Sequence, residues 1–161
     1  MDIEYRNLLP TESYAYRKIR LESLQRFPNS FSANYQEAVI TKKFRLESDI
    51  ENQTFEKFIH GAFSNNELIG ICAVVKNEMN MVTLNQMYVQ ENFQGRNIGL
   101  KLVEGVIKEV IIRYGSIEIY LEVANDNFKA YNLYKKIGFE EVNVKENNNS
   151  ILMKYNANIN R

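Results

Sequence analysis

The sequence is poor in the residue types that build several common kinds of site. Its 161 residues include one cysteine, one histidine, two prolines and seven glycines. A single cysteine, Cys72, excludes a disulfide framework within the chain and a zinc site made of several thiolates. The few glycines and prolines therefore carry much of the information about turns and loops. We expect no metal site.

The sequence also lacks an excess of charge of either sign. Lysine and arginine together number 20, as do aspartate and glutamate, so the formal net charge is zero. Nucleic-acid binders usually have a basic excess, and we expect no nucleic-acid partner. Residues 1–10 contain no apolar run of the kind found in secretory signals, and no stretch reaches the length of a membrane span. These features predict a cytoplasmic protein without a membrane partner.

What the sequence does contain is typical of a single globular domain over residues 1–161. Apolar residues make up 45% of the chain and charged residues 25%. A chain of this length buries a hydrophobic core without covalent cross-links. Two domains would be unusually small.

Periodicity predicts alternating strands and helices. The expected strands are residues 2–8, 54–63, 68–76, 82–89, 117–123 and a closing hairpin of 140–145 with 150–155. The expected helices are residues 11–26, capped by Thr11, then 35–50, 98–114 and 127–137. Asn65-Asn66 and the tract Asn147-Asn148-Asn149 are the expected hairpin turns.

The middle of the chain predicts the fold class. A strand, a helix and a strand follow one another over residues 82–123, and such a right-handed crossover makes its two strands parallel. Hairpins flank this unit on both sides. The predicted fold is α/β (α+β), with a mixed, mostly antiparallel central sheet of six to seven strands, a central parallel pair and about four flanking helices.

Residues 89–100 form the most informative loop, because they connect a strand end to a strongly apolar helix. The first amides of a helix have no partner within the helix and lie at the positive end of its dipole, and glycine lets a ligand approach the backbone. Such a loop suits a pyrophosphate. The spacing of Gly95 and Gly99 fits neither the P-loop nor the Gly-x-Gly-x-x-Gly dinucleotide motif.

The loop instead resembles the Gln/Arg-x-x-Gly-x-Gly/Ala pyrophosphate loop of the GNAT superfamily of N-acetyltransferases. The matching residues are Gln94, Gly95, Ile98 and Gly99. Asn97 stands where the family usually has glycine. Asparagine is the residue that best replaces glycine at a left-handed position, so we expect Asn97 to have a positive φ.

A second segment resembles the other GNAT signature, Asn-x-x-Ala-x-x-Leu-Tyr-x-x-x-Gly-Phe. The residues that match in register are Asn127, Ala130, Leu133, Tyr134, Gly138 and Phe139. This signature begins 28 residues after Gly99, as an intervening helix and strand require. The resemblance extends over residues 68–155, and the pair of signatures is more specific than either one.

The resemblance implies an acetyl-CoA-dependent transferase of the bacterial type. Acetyl-CoA would be the cosubstrate, a primary amine the acceptor, and transfer would occur directly in a ternary complex. The strand end at residues 87–89 would splay from its neighbour and offer backbone N–H groups to the thioester. The implied cofactor-binding residues are Met87, Tyr88, Val89, Gln94, Gly95, Arg96, Asn97, Ile98, Gly99, Asn127, Ala130 and Tyr134.

Two catalytic roles follow from the same resemblance. Tyr134 would donate a proton or a hydrogen bond to the leaving thiolate. An alkyl amine with a pKa of about 10 must also lose a proton before it attacks. Glu122 is the first candidate for that role, and Glu37 or a chain of water molecules are the others. His60 is expected to be structural.

The acceptor end is less defined by sequence. The resemblance places it at the first two helices, where Phe31, Tyr35 and Glu37 are the candidate substrate-binding residues, with Glu22 and Phe27 nearby. Many members of the family dimerise, so a homodimer is an open expectation. An alternative function is an acyl-CoA-binding sensor or subunit without turnover. The lack of a carboxylate on the strand before the pyrophosphate loop, where some members of the family have a glutamate, favours this alternative, and the presence of Tyr134 argues against it. A generic nucleotide-binding domain is the third alternative.

Overall fold

A mixed sheet forms the centre of the protein. The computed structural model describes residues 2–28, 34–142 and 149–159. Within them the strands are β1 (Ile3–Asn7), β2 (Lys57–Ser64), β3 (Glu67–Lys76), β4 (Met81–Val89), β5 (Ile117–Ala124), β6 (Glu140–Glu141) and β7 (Ser150–Ala157). The helices are α1 (Ser13–Arg26), α2 (Tyr35–Ile40), α3 (Arg45–Asn52), α4 (Ile98–Tyr114) and α5 (Phe128–Ile137).

The strand order is β1-β2-β3-β4-β5-β7-β6. Neighbouring strands are antiparallel except β4 and β5, which are parallel and are joined through α4. This arrangement confirms the predicted fold class. The β2–β3 turn at Asn65 and Asn66 is also confirmed, with both residues at positive φ as a tight hairpin requires.

The two faces of the sheet carry different layers. The larger core lies between the sheet and the pair α4 and α5, where Leu102, Val106 and Ile119 are fully buried. A smaller core lies on the opposite face under α1 and α3, around Ile59 and Ile71. Because α1 and α3 contact β2 and β3, the β5 end of that face is less covered. None of the described helices has the length and apolar character needed to cross a membrane.

Two sequence predictions on the first third of the chain were wrong. Thr11 does not cap α1, because Pro10–Glu12 form a 3₁₀ turn before it. In that turn the Glu12 carboxylate accepts the Leu9 N–H at 2.7 Å and two hydrogen bonds from the Arg6 guanidinium. A charged group that satisfies several donors at once holds the entry to α1 better than a threonine hydroxyl would.

The predicted helix over residues 35–50 is two helices, α2 and α3. Thr41 is extended, and the chain turns so that Phe44 packs edge-on against Tyr16, with ring centroids 6.3 Å apart. Asn34 caps α2, and Glu47 caps α3 by accepting the Phe44 N–H. Burial of the Phe44 ring therefore outweighs helix continuity. At the other end of the chain, residues 143–148 of the predicted closing hairpin lie outside the described residues.

Candidate active site

The parallel strands β4 and β5 separate partway along their length. They pair only at Met81 with Glu118, Val82 with Ile119 and Thr83 with Tyr120. Both strands then continue, to Val89 and Ala124 respectively, without pairing to each other. Their carboxyl-terminal halves therefore diverge and leave a gap, as the sequence resemblance predicted.

A bulge lies in β4 beside this gap. The register with β3 shifts between Ile71 and Ala73, so that Gln86 and Met87 both lie opposite Cys72. Such an extra residue leaves backbone groups outside the ladder and bends the strand. Bulges of this kind give a site backbone donors that the sheet does not use.

The bulge also changes which side chains face which layer. Gln86 has a φ of 55°, and its side-chain oxygen accepts a hydrogen bond from Tyr16 Oη at 2.8 Å. Before the bulge Leu84 faces α4, whereas after it Tyr88 belongs to the core under α1. The end of β4 is therefore held by α1.

The loop after β4 has the geometry expected of an anion cradle. Gly95 has a φ of 80° and Asn97 a φ of 60°, so the left-handed conformation predicted for Asn97 is confirmed. A Cβ at Gly95 would meet no heavy atom within 4 Å, which leaves that backbone open to a ligand. Gln94 fixes the loop by donating from Nε2 to the Val89 carbonyl at 2.9 Å. The first amides of α4 follow directly, without partners inside the helix.

The structure brings the two sequence signatures together at Gly99. A Cβ on this residue would lie 3.3 Å from Met87 Cε and 3.6 Å from Leu133 Cδ2. Gly99 belongs to the first turn of α4, Met87 to the end of β4 and Leu133 to α5. The absence of a side chain at Gly99 thus allows the loop, the diverging strand and the second signature helix to meet.

Tyr134 lies on the inner face of α5. It is only 7% exposed and packs edge-on against Phe139, with ring centroids 5.8 Å apart. Burial raises the pKa of Tyr134 above its ordinary value, and the neighbouring Cys72 thiol raises it further. The phenol is therefore protonated at neutral pH and able to donate. Asn127 caps α5 by accepting the Ala130 N–H at 3.1 Å.

The candidate carboxylate Glu122 lies on the other face of the sheet from α4. It is exposed on β5, and Ser150 Oγ donates to it at 3.1 Å. Tyr35 and Glu37 lie on α2, which contacts α1. Glu37 is exposed and Tyr35 is partly buried. Phe31 lies outside the described residues.

One cluster was not predicted from the sequence, although Glu22 and Phe27 were expected near the acceptor. Tyr88 Oη donates to Glu22 Oε2 at 2.5 Å, and Gln90 Nε2 donates to Glu22 Oε1 at 3.1 Å. The Phe27 ring packs against Tyr88 with centroids 5.9 Å apart. Since Glu22 and Tyr88 are separated by 66 residues, no local pattern reveals their contact.

His60 and Cys72 are both core residues, which agrees with the structural role expected of His60. His60 Nδ1 lies 2.7 Å from Asn7 Oδ1, and burial lowers the pKa of His60 to about 4. Cys72 is 1% exposed, and burial raises the pKa of its thiol to about 12. Neither group is prepared for acid–base or nucleophilic work near pH 7. In the described part of the chain, no three His, Cys, Asp or Glu residues converge as a metal site would require.

Comparison with known proteins agrees with this geometry. The model of the Acetyltransferase (GNAT) family matches residues 24–139. Spermine/spermidine N(1)-acetyltransferase of Bacillus subtilis (strain 168) is 30% identical over 64 residues, which are 40% of this chain and 42% of that protein. An N-alpha-acetyltransferase of Sulfurisphaera tokodaii is 43% identical over 56 residues, or 35% of this chain and 34% of that protein. The chain thus spans less than half the length of either relative.

The fold is also found among solved structures. The crystal structure of PaiA N-acetyltransferase from Thermoplasma acidophilum in complex with coenzyme A superposes with a TM-score of 0.77 at 22% identity. The match covers 97% of this chain and 99% of that one. At this identity the similarity is one of fold. It extends over 97% of this chain and is not confined to the two matched signatures.

Proposed function

The chain belongs to the GNAT acetyltransferase family, and from this premise we propose that it transfers an acetyl group from acetyl-CoA to a primary amine by direct attack in a ternary complex. The observation that carries the proposal is the gap between β4 and β5, which opens beyond Thr83 and Tyr120. The gap and the bulge at Gln86 lie along β4, and the loop before α4 directly follows the end of this strand. An extended thioester cofactor needs such a continuous track.

The donor side rests on backbone groups more than on side chains. In the proposal, the strand end at Met87, Tyr88 and Val89 lines the arm of the cofactor, and the amides of residues 94–99 hold its pyrophosphate. The open backbone at Gly95 and the left-handed Asn97 fit this use. On α5, Ala130 supplies a small surface. Asn127 uses its amide oxygen as a helix cap, and its NH₂ group is the part that can donate to the cofactor.

Tyr134 is the proposed acid. Expulsion of a thiolate is eased by a donor close to the sulfur, and the Tyr134 phenol, whose pKa is raised by burial, carries its proton at neutral pH and can donate a hydrogen bond there. Backbone N–H groups at the bulge would stabilise the negative charge that develops on the carbonyl oxygen. No covalent acyl-enzyme is needed, which agrees with the burial of Cys72.

The acceptor side lies on the less covered face, between α1 and β5. Glu122 borders this face and is the first candidate from sequence for removing the ammonium proton, with Glu37 and Tyr35 as further wall residues. Phe31 is a substrate-binding candidate from sequence alone. One relative bears the name of a polyamine acetyltransferase and another that of an N-alpha-acetyltransferase. A polyamine and a peptide with a free N-terminus are therefore the two acceptors to test first.

The test is turnover of acetyl-CoA by the wild-type chain with each acceptor, compared with Tyr134→Phe. We expect Tyr134→Phe to lower kcat by about 100-fold, the usual scale for loss of a general acid, while acetyl-CoA affinity is retained. Tyr131→Phe is the matched control, because it removes a hydroxyl from the same helix one turn earlier. An unchanged rate in Tyr134→Phe would remove that residue from the mechanism.

The same assay separates the alternative function. Calorimetric titration with acetyl-CoA, CoA, ATP and NAD gives the cofactor preference. A chain that binds acetyl-CoA tightly but releases no CoA with any amine would be a binding subunit rather than an enzyme. A chain that prefers ATP or NAD would contradict the proposed function altogether.

A further inference from the structure

Glu22 is a carboxylate on the less covered face of the sheet that is held in position by hydrogen bonds. Its carboxylate accepts from Tyr88 Oη at 2.5 Å and from Gln90 Nε2 at 3.1 Å, so it is fixed by two donors from β4 and the residue after it. The side chain is only partly buried. The Glu22 carboxylate is therefore hydrogen-bonded to neighbouring side chains while the residue is still accessible to solvent.

The contacts of α1 show where this carboxylate lies along β4. Near the start of α1, Tyr16 donates a hydrogen bond to Gln86. Further along, Glu22 accepts hydrogen bonds from Tyr88 and Gln90. At the end of the helix, Arg26 forms an ion pair with Glu91 at 2.6 Å. Helix and strand thus run alongside each other in the same direction, and the Glu22 contact falls two residues beyond the bulge at Gln86. Glu22 is therefore held over the end of β4, through the side chains of Tyr88 and Gln90, beside the strand whose backbone groups are assigned to the thioester.

The reaction needs such a group, because a primary amine arrives mostly as an ammonium ion at neutral pH. A base must be near the reacting nitrogen and held in position. Glu122 is exposed on β5, where the hydroxyl of Ser150 donates to it. Glu22, by contrast, is hydrogen-bonded to Tyr88 of β4, the strand along which the proposed thioester lies.

We propose that Glu22, positioned by Tyr88 and Gln90, binds the acceptor ammonium and takes its proton. This inference rests on the proposed function and deepens it on the acceptor side. The ammonium gives one proton to the Glu22 carboxylate, and the freed lone pair forms the new N–C bond at the thioester carbonyl. The C–S bond breaks, its electron pair stays on sulfur, and sulfur takes a proton from Tyr134. The nitrogen loses its second proton to solvent, and the proton held by Glu22 returns through solvent to the Tyr134 phenolate, so that the products are an amide, CoA thiol and one released proton.

Within this cluster Tyr88 is the hydrogen-bond donor and the Glu22 carboxylate is the acceptor. The groups that face this cluster are Arg26 on α1, Tyr88 on β4 and Glu91 in the following loop. Burial and the Glu22 carboxylate raise the pKa of Tyr88, so its phenol stays protonated and donates to Glu22. The carboxylate is then the acceptor of the pair, and the Tyr88 hydroxyl keeps it oriented.

The experiment compares Glu22→Gln with Glu122→Gln and with Glu104→Gln, an exposed control on α4. Glutamine keeps an oxygen that accepts from Tyr88, so the fold is expected to persist, which thermal melting and acetyl-CoA affinity verify. The acceptors are spermidine and a short peptide with a free N-terminus, each measured at pH 7 and pH 9. The higher pH supplies more neutral amine without an enzymatic base, and its effect is largest for the peptide, whose α-amine has a pKa of about 8.

We expect Glu22→Gln to lose about 100-fold in kcat/KM at pH 7 and to recover much of that loss at pH 9, as removal of a general base predicts. Glu104→Gln should match the wild type at both values. A loss in Glu22→Gln that is the same at pH 7 and pH 9 would mark a structural role and overturn the inference. So would an unchanged rate, or the pH-dependent loss appearing in Glu122→Gln instead. If the wild type itself turns over no amine, the proposed function fails rather than this assignment.

Discussion

His60 and Gly105 approach each other so closely that no side chain fits between them. A Cβ built on Gly105 would lie 2.6 Å from His60 Nε2 and 3.2 Å from its Cδ2. Gly105 lies in the middle of α4, where glycine costs about 1 kcal/mol relative to alanine. The helix therefore accepts a poor helix-forming residue in order to pack against a histidine ring on β2.

Replacing this glycine should destabilise the protein despite the gain in helix propensity. The His60 ring is buried and cannot move aside as a flexible chain end would, so Gly105→Ala should lower the free energy of unfolding by about 1–3 kcal/mol, the usual cost of overpacking. Urea denaturation measures the change. In a His60→Ala background the same substitution should instead stabilise, and a loss of equal size in both backgrounds would show that the close approach is not the cause.

The stability of the protein should fall in mild acid because of His60. Its pKa is about 4 in the folded protein and 6.5 in the unfolded chain, so below pH 6.5 the unfolded state binds a proton that the folded state does not. The folded state thus loses stability as the pH falls from 6.5 towards 4. Between pH 7 and pH 5 the expected loss from this residue is about 2 kcal/mol.

The measurement is urea denaturation of the wild type and of His60→Gln at both pH values. Glutamine removes the titration, so the variant should lose less stability between pH 7 and pH 5 than the wild type does. Glu109 opposes the effect of burial on the pKa of His60, and Glu109→Gln should therefore enlarge the pH dependence slightly. Parallel pH profiles of wild type and His60→Gln would contradict the assignment.

The donor half of the candidate site could be predicted from sequence because its signals are local. The left-handed conformation of Asn97 follows from one residue type at one loop position, and the full extent of α4 follows from its apolar periodicity. The split between α2 and α3 was missed because its cause, the packing of Phe44 on Tyr16, joins residues far apart in the chain. The bond between Glu22 and Tyr88 was missed for the same reason.

The pyrophosphate loop should tolerate glycine at Asn97 but not a β-branched residue. A positive φ is natural for glycine and strained for valine, so Asn97→Gly should keep acetyl-CoA affinity and Asn97→Val should reduce it. The strain at such a position is of the order of 1–3 kcal/mol, which predicts about a tenfold or larger loss of affinity if the loop shifts. Calorimetric titration with CoA tests both variants. Equal affinities for glycine and valine would show that this φ does not shape the site.

A side chain at Gly95 should weaken acetyl-CoA binding more than it weakens the fold. Because a Cβ there meets nothing within 4 Å, Gly95→Ala costs the folded chain only the strain of a φ of 80°. The added methyl group would nevertheless cover backbone that we assign to the pyrophosphate. Gly115→Ala is the matched control, since Gly115 has a φ of 77° and equally open surroundings at the far end of α4. Loss of acetyl-CoA affinity in Gly95→Ala and not in Gly115→Ala is the expected result. If Gly115→Ala weakens acetyl-CoA binding as much, the effect does not belong to the loop.

The hydrogen bond from Tyr16 to Gln86 should matter more for turnover than for stability. Tyr16 is 1% exposed, and its hydroxyl is the α1 contact that holds the bulge residue of β4, which has a φ of 55°. Tyr16→Phe keeps the ring and removes this donor, so the free energy of unfolding should fall by about 1 kcal/mol. The bulge then loses its support, and kcat should fall further than this loss of stability explains, because backbone donors act only when they are aimed at the developing oxyanion. Tyr14→Phe on the same helix is the control, since Tyr14 is 72% exposed. Urea denaturation and turnover of acetyl-CoA are measured for both variants, and a Tyr16→Phe enzyme with the wild-type kcat would show that α1 does not set the geometry of the bulge.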